Sequence, residues 1–297
     1  MRKFIKFIIC VGLILVLAGG AIVGYAAVKG HYKGNVLEAK SFTTEETFDN
    51  ITLKMAMTDV EFRESSDDKV TVNYNVLKGY TYSFSTDNGT FTIVEKEDSR
   101  WYERIFRFYL EDSKMVVSLP KNSYNELTIT NSTSDLTISN FDLKKIDIKG
   151  STGDVKISKS NIETTCNLNM STGSVYLTDV NVSSDLKINV STGDVILNNV
   201  NSGSLNIGTS TGDVKLANTV VNSELTVKTT TGDIRFKSSD AKTIKANTSI
   251  GSIKGSILTS KSFKTKTTTG DVDVPNTVGD ECNLETTTGD IKITIEQ

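Results

Sequence analysis

Ser191-Thr192-Gly193-Asp194-Val195 is the phrase that decides the fold, because it returns along the chain at a nearly fixed interval. Copies stand at 151–155, 171–175, 210–214, 230–234, 249–253, 268–272 and 287–291, and a degenerate one at 132–136 precedes them. The glycines are 20, 20, 19, 20, 19, 19 and 19 residues apart. A period of that size marks a stacked repeat, in which each unit leaves an apolar edge that only its neighbour can cover.

Outward from this corner, each unit holds two runs of alternating apolar and polar residues, the signature of a half-buried strand. One follows the Gly-Asp pair, as in Val195-x-Leu197, and one precedes the next corner, as in Leu186-x-Ile188-x-Val190. Asn198-Asn199 and Asn201-Ser202-Gly203 suit turns with positive φ. The corner glycine answers to a backbone that must open to φ > 0 at every turn. The expectation is an all-β, single-stranded parallel β-solenoid, β-helix-like, of nine units over 132–297 and wound right-handed as parallel crossovers are. Its last strand, Ile291-x-Ile293-x-Ile295, is expected to be an open edge through which two copies self-associate.

Residues 42–131 lack the Gly-Asp corner and are richer in aromatics. Strand-like runs there predict an N-terminal β cap or early coils, with Thr58-Asp59-Val60-x-Phe62 a worn copy of the repeat. Ahead of it lie a basic N-terminus at 1–6, an apolar segment at 7–28 and a linker at 29–41. The 22 uncharged residues of 7–28 would span roughly 33 Å as a helix, enough for the hydrocarbon core of a bilayer. Arg2, Lys3 and Lys6 predict a single-pass transmembrane helix with the N-terminus inside and the remainder extracytoplasmic. The other reading is a signal segment cleaved near Gly24-Tyr25-Ala26, releasing a secreted protein.

The net charge is −3, and residues 30–297 carry 29 basic and 36 acidic side chains. That balance argues against nucleic acid as a partner, since neutralising phosphates needs a basic face. Cys10 lies inside the apolar run without the small residues ahead of it that lipid attachment requires. Cys166 and Cys282 fall six turns apart in the repeat register, far beyond the Cα separation of about 7 Å that a disulfide tolerates.

A short basic N-terminus, one apolar span and many Ser/Thr-Thr-Gly-Asp-Val/Ile copies spaced by 19–20 resemble the bacterial putative-adhesin family of unknown function, LiaG-like proteins included. The likeness covers nearly all of 42–297. It implies a β-strand-repeat ectodomain at a Gram-positive type of cell envelope, with links to envelope stress, and it brings no catalytic residues.

Asp154, Asp194, Asp213, Asp233, Asp271 and Asp290 would stack about 5 Å apart. That is close enough to bind a cation, with Asp194, Asp213 and Asp233 the candidates, or to imitate the paired carboxylates of glycoside hydrolysis. Ser174 and Ser252 interrupt the row, and a motif repeated with little variation is what fold maintenance produces. From 150 onward the aromatics are Tyr176, Phe236 and Phe263, no stacking platform for sugars. The single histidine, His31, sits beside the apolar segment, which leaves no Ser/His/Asp system and no Cys/His zinc site. No catalytic residue and no cofactor is therefore expected.

One stretch departs from the pattern. Trp101, Tyr102, Arg104, Phe106, Arg107, Phe108 and Tyr109 combine aromatic and basic character, as binding surfaces do, and are the interaction candidates. A core strand or short helix packing the cap is the structural alternative. The sequence thus reads as a non-enzymatic, membrane-anchored extracytoplasmic protein. It would present a binding, adhesin-like or envelope-stress-related surface to an envelope protein or wall polymer. The alternative is a polysaccharide-active β-helix enzyme, lyase or hydrolase, that uses the corner aspartates.

Overall fold

The computed structural model describes Gly12 and residues 38–67, 69–77, 79–98 and 113–296. Apart from Gly12, the expected membrane segment at 7–28 lies outside the described residues, as do the interaction candidates from Trp101 to Tyr109. Among the described residues no helix is long and apolar enough to cross a membrane.

The body is a column of parallel coils carried by β8 (Ser123–Thr133), β9 (Leu136–Ser139), β10 (Asp142–Thr152), β11 (Val155–Thr172), β12 (Val175–Thr192), β13 (Val195–Thr211), β14 (Val214–Ala217), β15 (Val220–Thr231), β16 (Ile234–Ile250) and β17 (Ile253–Ile257). Equivalent repeat positions stack directly: Val155, Val175, Val195, Val214, Ile234 and Ile253 are successive register partners. From the facing wall Leu168, Ile188, Ile207, Val227 and Ala246 stack likewise, and both rows are buried in one continuous core. Alternation along each strand keeps the intervening polar residues outside.

Two positive-φ corners turn each coil from Gly153 to Ser238. The first is the repeat glycine, from φ +125° at Gly153 to +152° at Gly232. Close stacking makes the residue type obligatory beyond the dihedral, because a Cβ on Gly193 would lie 2.1 Å from the Gly173 carbonyl oxygen. Gly193→Ala is therefore expected to cost about 3 kcal/mol through left-handed strain and overpacking. An unchanged urea midpoint would contradict this. At the second corner Asn140, Lys159, Asp179, Asn199, Asn218 and Ser238 adopt φ between +48° and +63°. Asn199 was legible as a turn residue; Lys159 and Ser238 show the stack imposing the conformation on residues with less liking for it.

Residues 42–131 do not form a separate cap. β2 (Asn50–Met55) and β3 (Asp59–Glu64) make a coil in parallel register with β8 and β9. β6 (Thr90–Glu97) and β7 (Lys114–Leu119) make a further coil outside that one. Antiparallel pairing begins only at the end of the column. There β5 (Tyr80–Asp87) pairs with β6, β4 (Val70–Val76) with β7, and β1 (Glu38–Thr44) with β4. Phe42 stacks on Phe84 at 4.5 Å and Phe48 on Phe91 at 5.0 Å over the terminal core.

The C-terminal end corrects a second expectation. β18 (Lys261–Lys266) and β19 (Val272–Asp273) precede β20 (Asp280–Thr288) and β21 (Ile291–Ile295), yet they lie outside them. β20 sits between β16 and β18, and β21 between β17 and β19. Ile291 and Lys292 are therefore covered on both edges, while β19 ends before Ile293–Ile295, so the last strand is open along only part of its outer edge. The physical reason lies in composition. The later copy buries Leu284, Ile291 and Ile293 at the places where the earlier one has Thr265, Val272 and Val274. The more apolar copy takes the position covered on both faces.

From β8 to β21 all the strands are parallel, so the chain circulates in one sense there, and its axial step is reversed from β18 to β20. That crossover thus has the hand opposite to that of the body, a rare arrangement among parallel crossovers.

Candidate functional site

The corner that repeats also leaves a backbone N–H at each Asp position pointing along the column, where it must find an acceptor. The acceptor is the carboxylate of the preceding coil. Asp59 Oδ1 accepts from the Asp135 amide at 2.7 Å, Asp135 from Asp154 at 2.8 Å and Asp154 from Ser174 at 2.8 Å. Ser174 Oγ accepts from Asp194 at a longer 3.2 Å. The row continues through Asp194, Asp213 and Asp233 to Ser252, at 2.8 to 2.9 Å. It then passes from Ser252 to Asp290 and from Asp290 to Asp271, the order that the intercalated coil dictates. Serine thus conducts the ladder and does not interrupt it.

The remaining oxygens face cations from the adjoining outward row. Asp194 and Asp213 lie 3.6 and 3.5 Å from Lys215, Asp213 and Asp233 lie 3.4 and 2.7 Å from Arg235, and Asp290 lies 2.9 Å from Lys254. The three proposed cation ligands are thus arranged as a rail already shared with Lys215 and Arg235. Among the described residues no cluster of three or more His, Cys, Asp or Glu is arranged to hold a metal.

The Lys254 ammonium, aided by the Asp271 amide, holds the Asp290 carboxyl below its usual range. Lys245 does the same to Glu224, and Lys264 to Glu281. A carboxyl depressed in the folded state contributes stability above its unfolded pKa near 4, and that contribution is lost as pH falls through the lower folded value. All three pairs belong to the C-terminal half. Acid titration below about pH 4 should therefore raise amide exchange in β20 and β21 before β11 and β12. Uniform exchange along the column would contradict this.

Beside the ladder a shallow groove of about 460 Å³ opens where Gly208 interrupts the outward row between Asn189 and Lys228. Asn189 donates to Asn169 within it at 2.8 Å.

A second polar cluster at the other end escaped the sequence reading. Glu95 is almost fully buried, and its Oε2 accepts three consecutive amides, Ala56, Met57 and Thr58, at 2.7, 2.9 and 3.1 Å. Its Oε1 accepts the Thr58 and Tyr82 hydroxyls at 2.6 and 2.9 Å. Burial pushes the Tyr82 phenol well above its usual range. The signal was present: in Phe91-x-Ile93-x-Glu95 the glutamate falls in the inward phase of the strand, and Thr58 stands where other corners have glycine. Glu95 fills the place of a corner at the outer side of the 50–64 coil. Ser113, which accepts from Thr58 and donates to the Asn75 carbonyl, ties the chain to the same cluster where it returns from 99–112.

Cys166 and Cys282 are free and buried, and burial pushes both thiols up to about 12. The register runs Cys166, Leu186, Leu205, Leu225, Ile244, Cys282, which is five steps instead of the six expected, again because of the intercalation.

No curated protein matches the chain. Among solved structures it is similar to a putative adhesin from Parabacteroides merdae, at 15% identity and a TM-score of 0.55, over 88% of this chain and 98% of that one. A putative adhesin from Parabacteroides distasonis is similar at 15% identity and 0.53, again over 88% and 98%. A protein of the same organism named as a putative lipid binding protein is similar at 13% and 0.52, over the same shares. These likenesses establish the fold. The sequence profile of the Toastrack DUF4097 family matches residues 48–257 and 222–297, which between them take in the ladder and both ends of the column, and the chain belongs to that family.

Proposed function

We propose that the protein works by binding, as a non-enzymatic surface held at the outer face of the cell membrane by the 7–28 segment. The observation that carries this reading is the commitment of the corner carboxylates. One oxygen of each ladder aspartate from Asp59 to Asp233 accepts an amide of the next coil, and Lys215, Arg235 and Lys254 engage others. That leaves little freedom for the acid and base roles that glycoside cleavage demands. Several solved proteins of this architecture are named putative adhesins, which favours an extracellular contact. The partner is an envelope protein or wall polymer, met by Trp101, Tyr102, Arg104, Phe106, Arg107, Phe108 and Tyr109, whose aromatic and arginine content suits a contact surface.

The test is capture from solubilised envelopes by the full-length protein and by the Trp101→Ala/Phe106→Ala double variant. Capture of a defined protein or polymer, lost in a double variant that melts at the same temperature, is the expected result. Release of polymer fragments, abolished by Asp213→Ala, would replace this reading with an enzymatic one.

A further inference from the structure

Asp240 and Lys261 form the most deeply buried ion pair among the described residues, with side chains 9% and 2% exposed and Nζ 2.9 Å from Oδ1. Asp240 Oδ1 also accepts the Ala241 amide at 2.8 Å, while Oδ2 is buried with no hydrogen-bond partner. Lys261 Nζ donates in addition to Thr259 Oγ1 at 2.7 Å. Removing two charges from water is costly, and a carboxylate oxygen left without a donor adds to that cost. The pair joins β16 to β18, two strands held apart by β20, so it binds the outermost coil to the body across the intercalated one.

We propose that Lys261 and Asp240 condense into an intramolecular amide, a covalent staple across the C-terminal end of the column. The chemistry closes on the groups present. Transfer of one proton from Nζ to the carboxyl gives an amine beside a carboxylic acid. The nitrogen lone pair attacks Cγ, the N–C bond forms, and the electron pair of the carbonyl moves onto Oδ1. The Ala241 amide already points at that atom and stabilises the developing charge as an oxyanion donor does. One proton passes from nitrogen to Oδ2, the C–Oδ2 bond breaks with its electron pair, and one water leaves. Oδ1 returns to a carbonyl that keeps its Ala241 donor. An ammonium and a carboxylate become an amide and water, with no oxidant, reductant or other reactant. The orphaned oxygen is the one that departs, so the product has neither buried charge nor an unsatisfied carboxylate.

Peptide mapping of the full-length protein decides the matter. With the amide present, trypsin cannot cut after Lys261, and residues 238–242 appear joined to residues 255–264 at a mass one water below the sum of the two. The joined species should vanish in Lys261→Arg and Asp240→Ala. In Asp240→Asn it should form, where it forms, with loss of ammonia. Separate, unmodified peptides 238–242 and 255–261 from the wild-type protein would overturn the proposal, whatever the variants do.

Discussion

Removing residues 280–297 is expected to dissolve more of the column than is cut away. Among the described residues β18 pairs only with β20, and β19 only with β21, so both lose these sheet partners although their own sequence is untouched. The deletion also uncovers β16 and β17 and forfeits burial of Cys282, Leu284, Ile291 and Ile293, on the order of 8 kcal/mol of transfer free energy. The outer copy cannot fill the gap at equal gain, since it would bring Phe263 to the place of Cys282 and Thr265 to that of Leu284. Because a stacked repeat is stabilised between neighbours, the loss should stay local. Amide exchange in 258–273 should become unprotected while β11 and β12 keep their protection. Retained protection of 261–273 would mean that this copy docks on β16 and β17 by itself, and would refute the account of the end given above.

Glu95→Ala should have the largest effect of any single side-chain removal at the opposite end. It strands the amides of Ala56, Met57 and Thr58 and two hydroxyls in a buried setting. Removing one partner of a buried charged network costs about 3–5 kcal/mol. Glu95→Gln should recover part of this, because its amide oxygen can accept the three backbone amides while its NH2 faces the Thr58 and Tyr82 hydroxyls, which can accept once they turn their own protons away. The same cluster holds Ser113, so the alanine variant should also become sensitive to proteolysis between 98 and 114. A melting temperature equal to wild type in Glu95→Ala would show that the corner amides find other acceptors.

The architecture could be read from the chain because the Thr-Gly-Asp phrase carries its own physics: a left-handed corner, an amide to be satisfied and a side chain to satisfy it. Asp194 and Asp213 were correctly placed on one row, but their chemistry was not legible, because Lys215 and Arg235 enter from the next strand. The order of coils at the ends was misread for a related reason. Copies 268–272 and 287–291 carry the same phrase, so the repeat alone cannot say which one stacks on 249–253. The information lay in the apolar content around each phrase, in Leu284 and Ile293 against Thr265 and Val274. Glu95 was not legible as a corner, because the amides it accepts stand 37 to 39 residues earlier in the chain.

The intercalated ends also bear on how such a chain can lengthen. A further unit stacked on the C-terminal end would meet β18 and the two-residue β19 instead of a full repeat face, and one stacked on the other end would meet the antiparallel strands β1 and β5. Only the interior offers a coil whose neighbours above and below accept another of the same register, as β12 is accepted by β11 and β13. Duplication is therefore expected between about 150 and 250, in steps of 19 or 20 residues, with both ends retained as fixed fittings on a column of adjustable height.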